Sequence, residues 1–123
     1  MVDLREPVPR PTRNALVAMG LGDPFGVLTA FNPRGIDSPD DENAERMTAL
    51  EKELASSGDE FVRVDACSPD RSHCECSVAV KGTRDRSIEL AKRWDQIAIF
   101  WWDGSGFWLY GAIIEIEPIK LPL

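Results

Sequence analysis

Four polar side chains have residue types and positions that suit ligand binding or acid–base chemistry. Glu75 stands at the start of a predicted strand, where a carboxylate can act as a general base or a general acid. Asn32, Asn43 and Gln96 carry amides, which can orient a ligand by donating and accepting hydrogen bonds. We call these four residues the polar quartet and take them as the candidate ligand-binding site, with Glu75 as the candidate catalytic residue.

Asn43 is unusual because of the helix that is predicted to carry it. Met47, Leu50 and Leu54 form an apolar stripe at helical spacing, and one further turn back along this stripe lies Asn43. An amide on the buried side of a helix must be hydrogen-bonded, because an unpaired polar group in the interior costs free energy. We therefore expect a buried polar network around Asn43.

The order of the predicted elements is β-α-β-β-α-β. They are, in chain order, a strand at 26–31, a helix at 38–58 with Ser38 as its N-cap, strands at 61–64 and 74–80, a helix at 83–94, an aromatic hairpin at 97–110 and a strand at 111–117. This order favours an α+β fold of the ferredoxin-like split β-α-β type. Both helices would lie on one face of a mostly antiparallel sheet, which gains an extra C-terminal hairpin strand. Residues 1–25 are predicted to form an extended N-terminal arm, within which 14–19 stay open between a short helical turn and a strand. Residues 26–123 are predicted to form a single α+β domain.

In that topology the end of the first strand lies beside the starts of the third and fourth strands. Asn32, Glu75 and Gln96 are therefore predicted to meet at one edge of the sheet, with Asn43 nearby. Two interpretations stay open. The quartet forms a small-ligand or catalytic corner, or it is a buried network that caps the first helix and pins its loop. The second is favoured, because buried amides near turns are commonly structural, and enzymatic activity is not predicted.

Three aromatic residues of the hairpin are predicted to form an interaction surface, namely Trp101, Trp108 and Tyr110. Side chains alternate along a strand, so one set of rings must belong to the core and the other must lie on the second face of the sheet. Trp and Tyr on an open sheet face are typical of protein interfaces. The main functional prediction is therefore a protein-interaction or self-association module. It would use this aromatic face to form a homodimer or to bind a protein partner. The alternative is that the N-terminal arm or the C-terminal strand covers this face.

The cysteines and the single histidine are the candidate metal ligands of this chain. Cys67, His73, Cys74 and Cys76 supply four soft donors, but their spacing lacks the paired Cys-x2-4-Cys arrangement of zinc sites. No metal site is therefore predicted. An odd number of cysteines in an apparently cytosolic chain also argues against a disulfide framework.

The charge balance limits the class of partner. The formal net charge is −7 at pH 7, which opposes binding to phosphate backbones, so no nucleic acid partner is predicted. The chain lacks a run of about 18 apolar residues, and its N-terminus does not resemble a signal peptide. We therefore expect a cytoplasmic protein without membrane contact, and no cofactor is predicted.

Four segments of the chain form a distinctive pattern, namely Leu28-Thr29-Ala30-Phe31-Asn32-Pro33-Arg34-Gly35, Glu42-Asn43, Glu75-Cys76-Ser77-Val78 and Gln96-Ile97-Ala98-Ile99-Phe100. They are similar to the pattern of an uncharacterised bacterial family, the domain of unknown function 3293. The resemblance extends over roughly 27–109 and implies an intracellular bacterial or phage protein without an assigned activity. That family usually has an aromatic residue two positions before the Glu, and this chain departs from it with His73 and Cys74. The resemblance adds interest to the polar quartet.

Overall fold

The structure is a computed structural model, and it describes residues 3–6, 8–68 and 70–122. The described residues form three α-helices and six β-strands, in chain order α1 Arg10–Ala18, β1 Phe25–Leu28, α2 Asp40–Ser57, β2 Phe61–Cys67, β3 Cys74–Lys81, α3 Arg84–Arg93, β4 Ala98–Trp102, β5 Phe107–Gly111 and β6 Ile119–Lys120. A short 3₁₀ turn, Pro33–Gly35, follows β1. None of the described helices has the length and apolar character needed to cross a bilayer.

The six strands form one sheet in the order β2-β3-β1-β4-β5-β6, and every neighbouring pair is antiparallel. β1 is therefore central, with β3 on one side and β4 on the other. Because β1 runs opposite to both neighbours, its C-terminal end lies next to their N-terminal ends. The predicted α+β class is confirmed. Asn32, Glu75 and Gln96 lie at or just beyond these strand ends, at this edge of the sheet.

The predicted strand at 111–117 is wrong. β5 ends at Gly111, where an added Cβ would collide with the backbone carbonyl of Ile114. The N–H of Ala112 donates to the carbonyl of Ile97 at 2.8 Å, and the N–H of Ile113 donates to the carbonyl of Gln96 at 3.3 Å. The chain thus turns tightly onto the start of β4 instead of continuing, and strand pairing resumes only at β6.

α2 and α3 pack on one face of the sheet. The predicted stripe of α2 is confirmed, since Met47, Leu50 and Leu54 are all buried in the cluster between the helices and the sheet. α3 approaches β1 closely at Gly26, where an added Cβ would overlap the side chain of Ser87. A glycine is required at this point because the helix lies almost directly on the strand.

The opposite face of the sheet is partly covered by the N-terminal segment. Residues 1–25 were expected to be extended, but Arg10–Ala18 form α1, and positions 1, 2 and 7 of the predicted arm lie outside the described residues. Leu16 and Leu21 are buried there against Phe25 and Trp102. Local propensity leaves such a short helix undecided, and packing of its apolar face stabilises it.

The hairpin of β2 and β3 carries a disulfide between Cys67 and Cys74. The expectation of no disulfide is therefore wrong for this pair. The register places Cys67 directly opposite Cys74 at the end of the two strands. Counting cysteines along the chain could not show this, because it depends on which residues the strand pairing sets face to face.

Candidate ligand-binding site

A cavity of about 300 Å³ lies on the sheet face opposite α2 and α3, beyond the part that α1 covers. Val27, Ser77 and Phe100 form part of its floor, and each comes from a different one of the three central strands. Asn32, Glu75 and Gln96 lie on its wall. The structure thus brings three members of the polar quartet to one cavity, although they are far apart along the chain.

Asn43, the fourth member, holds Asn32 in place. It is 3% exposed, and its Oδ1 accepts a hydrogen bond from the backbone N–H of Asn32 at 2.9 Å. Its Nδ2 donates to Oδ1 of Asn32 at 3.0 Å and to the carbonyl of Ser38 at 3.3 Å. Every polar atom of this amide is therefore engaged, which is the arrangement expected for a buried structural amide.

The backbone at Asn32 explains why an asparagine is suited to this position. Its φ is 46° and its ψ 63°, a left-handed conformation that Asn tolerates better than most residues. Its Oδ1 also accepts from the N–H of Ser38 at 2.9 Å. Ser38 is thus held by the loop and does not cap α2, which begins at Asp40 after Pro39. The predicted N-cap role of Ser38 is therefore wrong.

Glu75 links the loop after β1 to the hairpin of β2 and β3. Its Oε1 accepts a hydrogen bond from Nδ2 of Asn32 at 3.2 Å and lies 3.3 Å from Nε2 of His73. Its side chain is 25% exposed. Among the described residues, no hydrogen bond reaches its second oxygen, Oε2. A carboxylate beside an imidazole can pass a proton to or from a bound molecule, so this pair is able to perform acid–base chemistry.

The loop between β2 and β3 positions His73. The hydroxyl of Ser68 accepts from the backbone N–H of His73 at 3.1 Å and donates to Asp70 at 2.9 Å. Asp70 also accepts from the backbone N–H of Ser72 at 3.0 Å. The hydrogen bonds from Ser72 and Ser68 lower the pKa of Asp70 to about 2, so this carboxylate stays ionised and keeps the loop closed. Residue 69 of this loop lies outside the described residues.

Gln96 has a half-satisfied amide on the cavity wall. It is 7% exposed, and its Nε2 donates to the carbonyl oxygens of Phe31 and Trp94, both at 3.1 Å. Because only the amide nitrogen can donate to carbonyls, these two bonds determine the orientation of the side chain. Its Oε1 forms no hydrogen bond within the described part of the chain, so Gln96 keeps an acceptor without a protein partner.

The charged groups of the cavity wall are mainly acidic. Asp37 and Glu75 contribute carboxylates and His73 contributes an imidazole, and none of the described residues that line the cavity is Lys or Arg. Arg34 belongs to the same loop as Asp37, but it is paired with Asp95 at 3.8 Å. The wall therefore carries net negative charge whether His73 is neutral or protonated.

The aromatic residues that were predicted to form an interaction surface occupy a different face. Trp101 is only 8% exposed, and by strand alternation it shares the α2 and α3 side of the sheet with Ile99. Trp108 and Tyr110 pair with Trp101 and Ile99 and are half-buried. Trp101 was expected to be exposed on an open face of the sheet. This expectation is wrong, because neighbouring side chains enclose Trp101.

The two half-buried rings have local partners. The indole N–H of Trp108 donates to Asp103 at 2.8 Å, and the ammonium of Lys120 lies 5.9 Å from the centre of its ring. The Arg84 guanidinium lies 4.9 Å from the centre of the Tyr110 ring. Cations over aromatic faces at these distances are favourable, so both rings are partly engaged within the chain.

The cysteine and histidine candidates do not come together as a metal site. Cys67 and Cys74 are joined to each other, and Cys76 lies on the other side of β3 from Glu75, against the α2 and α3 core. Burial raises the pKa of the Cys76 thiol, with a smaller contribution from the Glu51 carboxylate. In the described ranges, no group of three or more His, Cys, Asp or Glu side chains is arranged to hold a metal ion.

Sequence reasoning missed several residues that shape the site. His73 was considered only as a metal ligand, yet it lies two residues before Glu75 and so shares its side of the strand. Arg46 was overlooked, although it follows Asn43 by three residues on the same helix face. Its Nε donates to the carbonyl of Ala30 at 2.8 Å and its Nη2 to the carbonyl of Trp94 at 2.9 Å. It therefore ties the backbone on both sides of the cavity to α2.

A comparison with protein-family models matches residues 28–99, which is more than half of the chain, to the family described as "Protein of unknown function (DUF3293)". The chain belongs to this family. No curated protein and no solved structure matches the DUF3293 chain significantly. The matched segment of this DUF3293 protein contains the whole polar quartet, whereas Trp101, Trp108 and Tyr110 lie beyond its end.

Proposed function

We propose that this DUF3293 protein binds a small organic molecule in the cavity beside Asn32, Glu75 and Gln96. The observation that carries the proposal is the free acceptor on Gln96, an amide that is more than nine-tenths buried and lies on the cavity wall. Oε1 of Gln96 is open to solvent at the cavity, because Trp102 Nε1 is the one fully buried side-chain polar atom without a partner among the described residues. A ligand that donates a hydrogen bond can therefore replace water at this oxygen. The volume of about 300 Å³ is at the lower end of the range for small-molecule sites.

The polar quartet divides into two pairs with different tasks. Asn32 and Asn43 bond to each other and to Ser38, so their amides hold the loop in shape. Glu75 and Gln96 each retain an oxygen that no described residue uses. Both oxygens are open to solvent, as groups that meet a ligand must be. The division therefore supports a site in which the Asn pair positions the wall and Glu75 and Gln96 meet the ligand.

The test is a two-dimensional NMR screen of the isotope-labelled protein with a library of small polar molecules. We expect the amide resonances of Asn32, Ser77, Gln96 and their neighbours to shift in a saturable manner. Ala98→Phe should abolish these shifts, because Ala98 lines the cavity and a phenyl group would fill it. Ala49→Phe is the matched control, since Ala49 is exposed on α2 on the other side of the sheet. Hits that shift only resonances outside the cavity, or that survive Ala98→Phe, would contradict the proposal.

The scaffold that we propose for this site is the ferredoxin-like split β-α-β arrangement. It is supported by the strand order β2-β3-β1-β4, with α2 connecting β1 to β2 and α3 connecting β3 to β4. The cytoplasmic location stays a prediction. The Cys67–Cys74 disulfide favours an oxidising environment, where such bonds persist.

Self-association is a second proposal, supported by the half-buried rings of Trp108 and Tyr110, whose centres lie 6.3 Å apart. Tryptophan, tyrosine and arginine are enriched in protein interfaces, and Arg84 lies over the Tyr110 ring. Light scattering after size-exclusion chromatography should then give a dimer mass that Trp108→Ala reduces to that of one chain. A monomer mass for the unmodified protein would contradict this proposal.

A further inference from the structure

We infer that the ligand of this cavity is a small organic cation, an amine whose protonated nitrogen binds at the Glu75 carboxylate and whose apolar part lies on the sheet. The inference rests on the proposed ligand-binding function and names the class of ligand. It is carried by the charge of the wall, by the free acceptor atoms and by the apolar floor.

The charge of the wall selects against anions. Asp37 and Glu75 are opposed only by His73, and no Lys or Arg lies among the described residues that line the cavity. The formal net charge of the whole chain is −7, so the long-range field has the same sign as the local one. An anion entering this cavity would meet repulsion without a guanidinium or ammonium group to offset it.

The hydrogen-bonding atoms that remain free are mostly acceptors. Oε2 of Glu75 and Oε1 of Gln96 have no partner among the described residues, whereas both N–H groups of Gln96 are used by backbone carbonyls. Asn32 keeps one amide hydrogen, because its other one is directed to Glu75. A protonated amine brings three donors and no acceptor, which fits a wall that offers oxygens. The bond to an ionised carboxylate would be charge-assisted and short.

The floor accounts for the organic part of the ligand. Val27 and Phe100 are partly exposed at the cavity, and Ile97 at its rim is 38% exposed. A hydrated metal ion gains nothing from such a surface, and the described residues hold no cluster of metal ligands. An aliphatic or aromatic group attached to the amine would bury apolar area on these side chains, which is favourable by roughly 25 cal/mol per Å².

The experiment compares three ligands with one ring and different charge, namely benzylamine, benzyl alcohol and benzoate. We expect benzylamine to shift the cavity resonances with an affinity about fivefold to tenfold above that of benzyl alcohol, as expected for one ion pair near the surface. Benzoate should bind most weakly. Zinc chloride, added alone, should not shift the same resonances.

Two variants test the role of the carboxylate. Glu75→Gln keeps an oxygen that can accept from Asn32, so the loop should stay folded while the preference for benzylamine over benzyl alcohol falls to about one. Glu45→Gln removes the same charge from an exposed position on α2 and should leave the preference unchanged. Equal binding of benzyl alcohol and benzylamine in the cavity, or saturable shifts with zinc alone, would overturn the inference but not the binding function. Absence of cavity shifts with the benzyl compounds and throughout the library screen would overturn both.

Discussion

The side-chain amide of Asn43 bonds both the backbone N–H and the side-chain oxygen of Asn32. Oδ1 of Asn43 accepts the backbone N–H of Asn32 at 2.9 Å, and Nδ2 of Asn43 donates to Oδ1 of Asn32 at 3.0 Å. The first turn of α2 is thereby attached to the chain that leaves β1. Asn32 also donates to Glu75 at 3.2 Å. The position of Glu75 on the cavity wall therefore depends, through Asn32, on the position of α2.

Replacement of Asn43 by Ala should lower the free energy of unfolding by about 2 to 3 kcal/mol, because the backbone N–H of Asn32 and the carbonyl of Ser38 lose their hydrogen bonds to this amide. Urea denaturation monitored by tryptophan fluorescence measures this change. Asn14→Ala, at an exposed position of α1, should change stability by less than about 0.5 kcal/mol. A loss for Asn43→Ala as small as that of the control would show that the pair contributes little.

Gly26→Ala should destabilise the protein by about 1 to 3 kcal/mol, because the new methyl group would overlap Ser87 where α3 lies on β1. Gly106→Ala is the matched control, since an added Cβ there meets nothing within 4 Å. Ser87→Gly removes the side chain that the new methyl group would overlap, although a glycine within a helix itself costs about 1 kcal/mol. The double variant Gly26→Ala, Ser87→Gly should therefore lose less stability than the sum of the two single variants. Additive losses in thermal unfolding of the double variant would contradict the proposed overlap.

The stability of the aromatic hairpin should depend on pH through Asp103. Partial burial raises the pKa of Asp103. The hydrogen bonds from the Trp108 indole and from the backbone N–H groups of Ser105 and Gly106 lower it by more, so the net effect is a decrease of the pKa from 3.8 to about 2. A carboxyl group whose pKa is lowered by folding stabilises the folded state above its unfolded pKa. This contribution is therefore complete above about pH 5 and is lost as the pH falls from about 4 towards 2.

The measurement compares the unmodified protein with Asp103→Asn by thermal unfolding between about pH 2 and pH 6. Because Asn cannot ionise, the difference in melting temperature should be largest near pH 6 and should shrink steadily as the pH falls from about 4 towards 2. The comparison with Asp103→Asn removes the effect of other acids, including Asp70. A difference that is constant over this range would show that ionisation of Asp103 does not stabilise the hairpin.

Reduction of the Cys67–Cys74 disulfide should lower the free energy of unfolding by about 2 to 3 kcal/mol, because the bond closes a short loop in the unfolded chain. The double variant Cys67→Ser, Cys74→Ser should lose the same amount and should no longer respond to a reductant. Alkylation of the unreduced protein after denaturation should label Cys76 alone. Labelling of all three cysteines without prior reduction would show that the bond is not formed.

The polar quartet shows which part of the site could be predicted from the sequence. The burial of Asn43 followed from the helical period, and the proximity of Asn32, Glu75 and Gln96 followed from the order of the strands. The partners of each atom did not, because hydrogen-bond geometry depends on displacements of a few tenths of an ångström that a pattern does not encode. His73 was missed as a member of the site because a single histidine offers no motif.

The aromatic hairpin and the N-terminal segment show where pattern reading fails. Strand alternation correctly separated Trp101 from Trp102, but it could not tell which set is covered, since this depends on an element distant in the sequence. α1 forms because Leu16 packs beside Phe25 and Trp102, and no local signal marks that contact. The cysteine pair is similar, because only strand register places Cys67 opposite Cys74.

The sequence by itself determined the α+β class, the stripe of α2 and the edge of the sheet at which the polar residues collect. These features follow from hydrophobic periodicity and from the order of the elements, which are properties of neighbours along the chain. Only the tertiary structure decided which sheet face carries the cavity and which oxygens of Glu75 and Gln96 stay free. Both depend on how distant segments pack, and packing is a property of the whole chain in space.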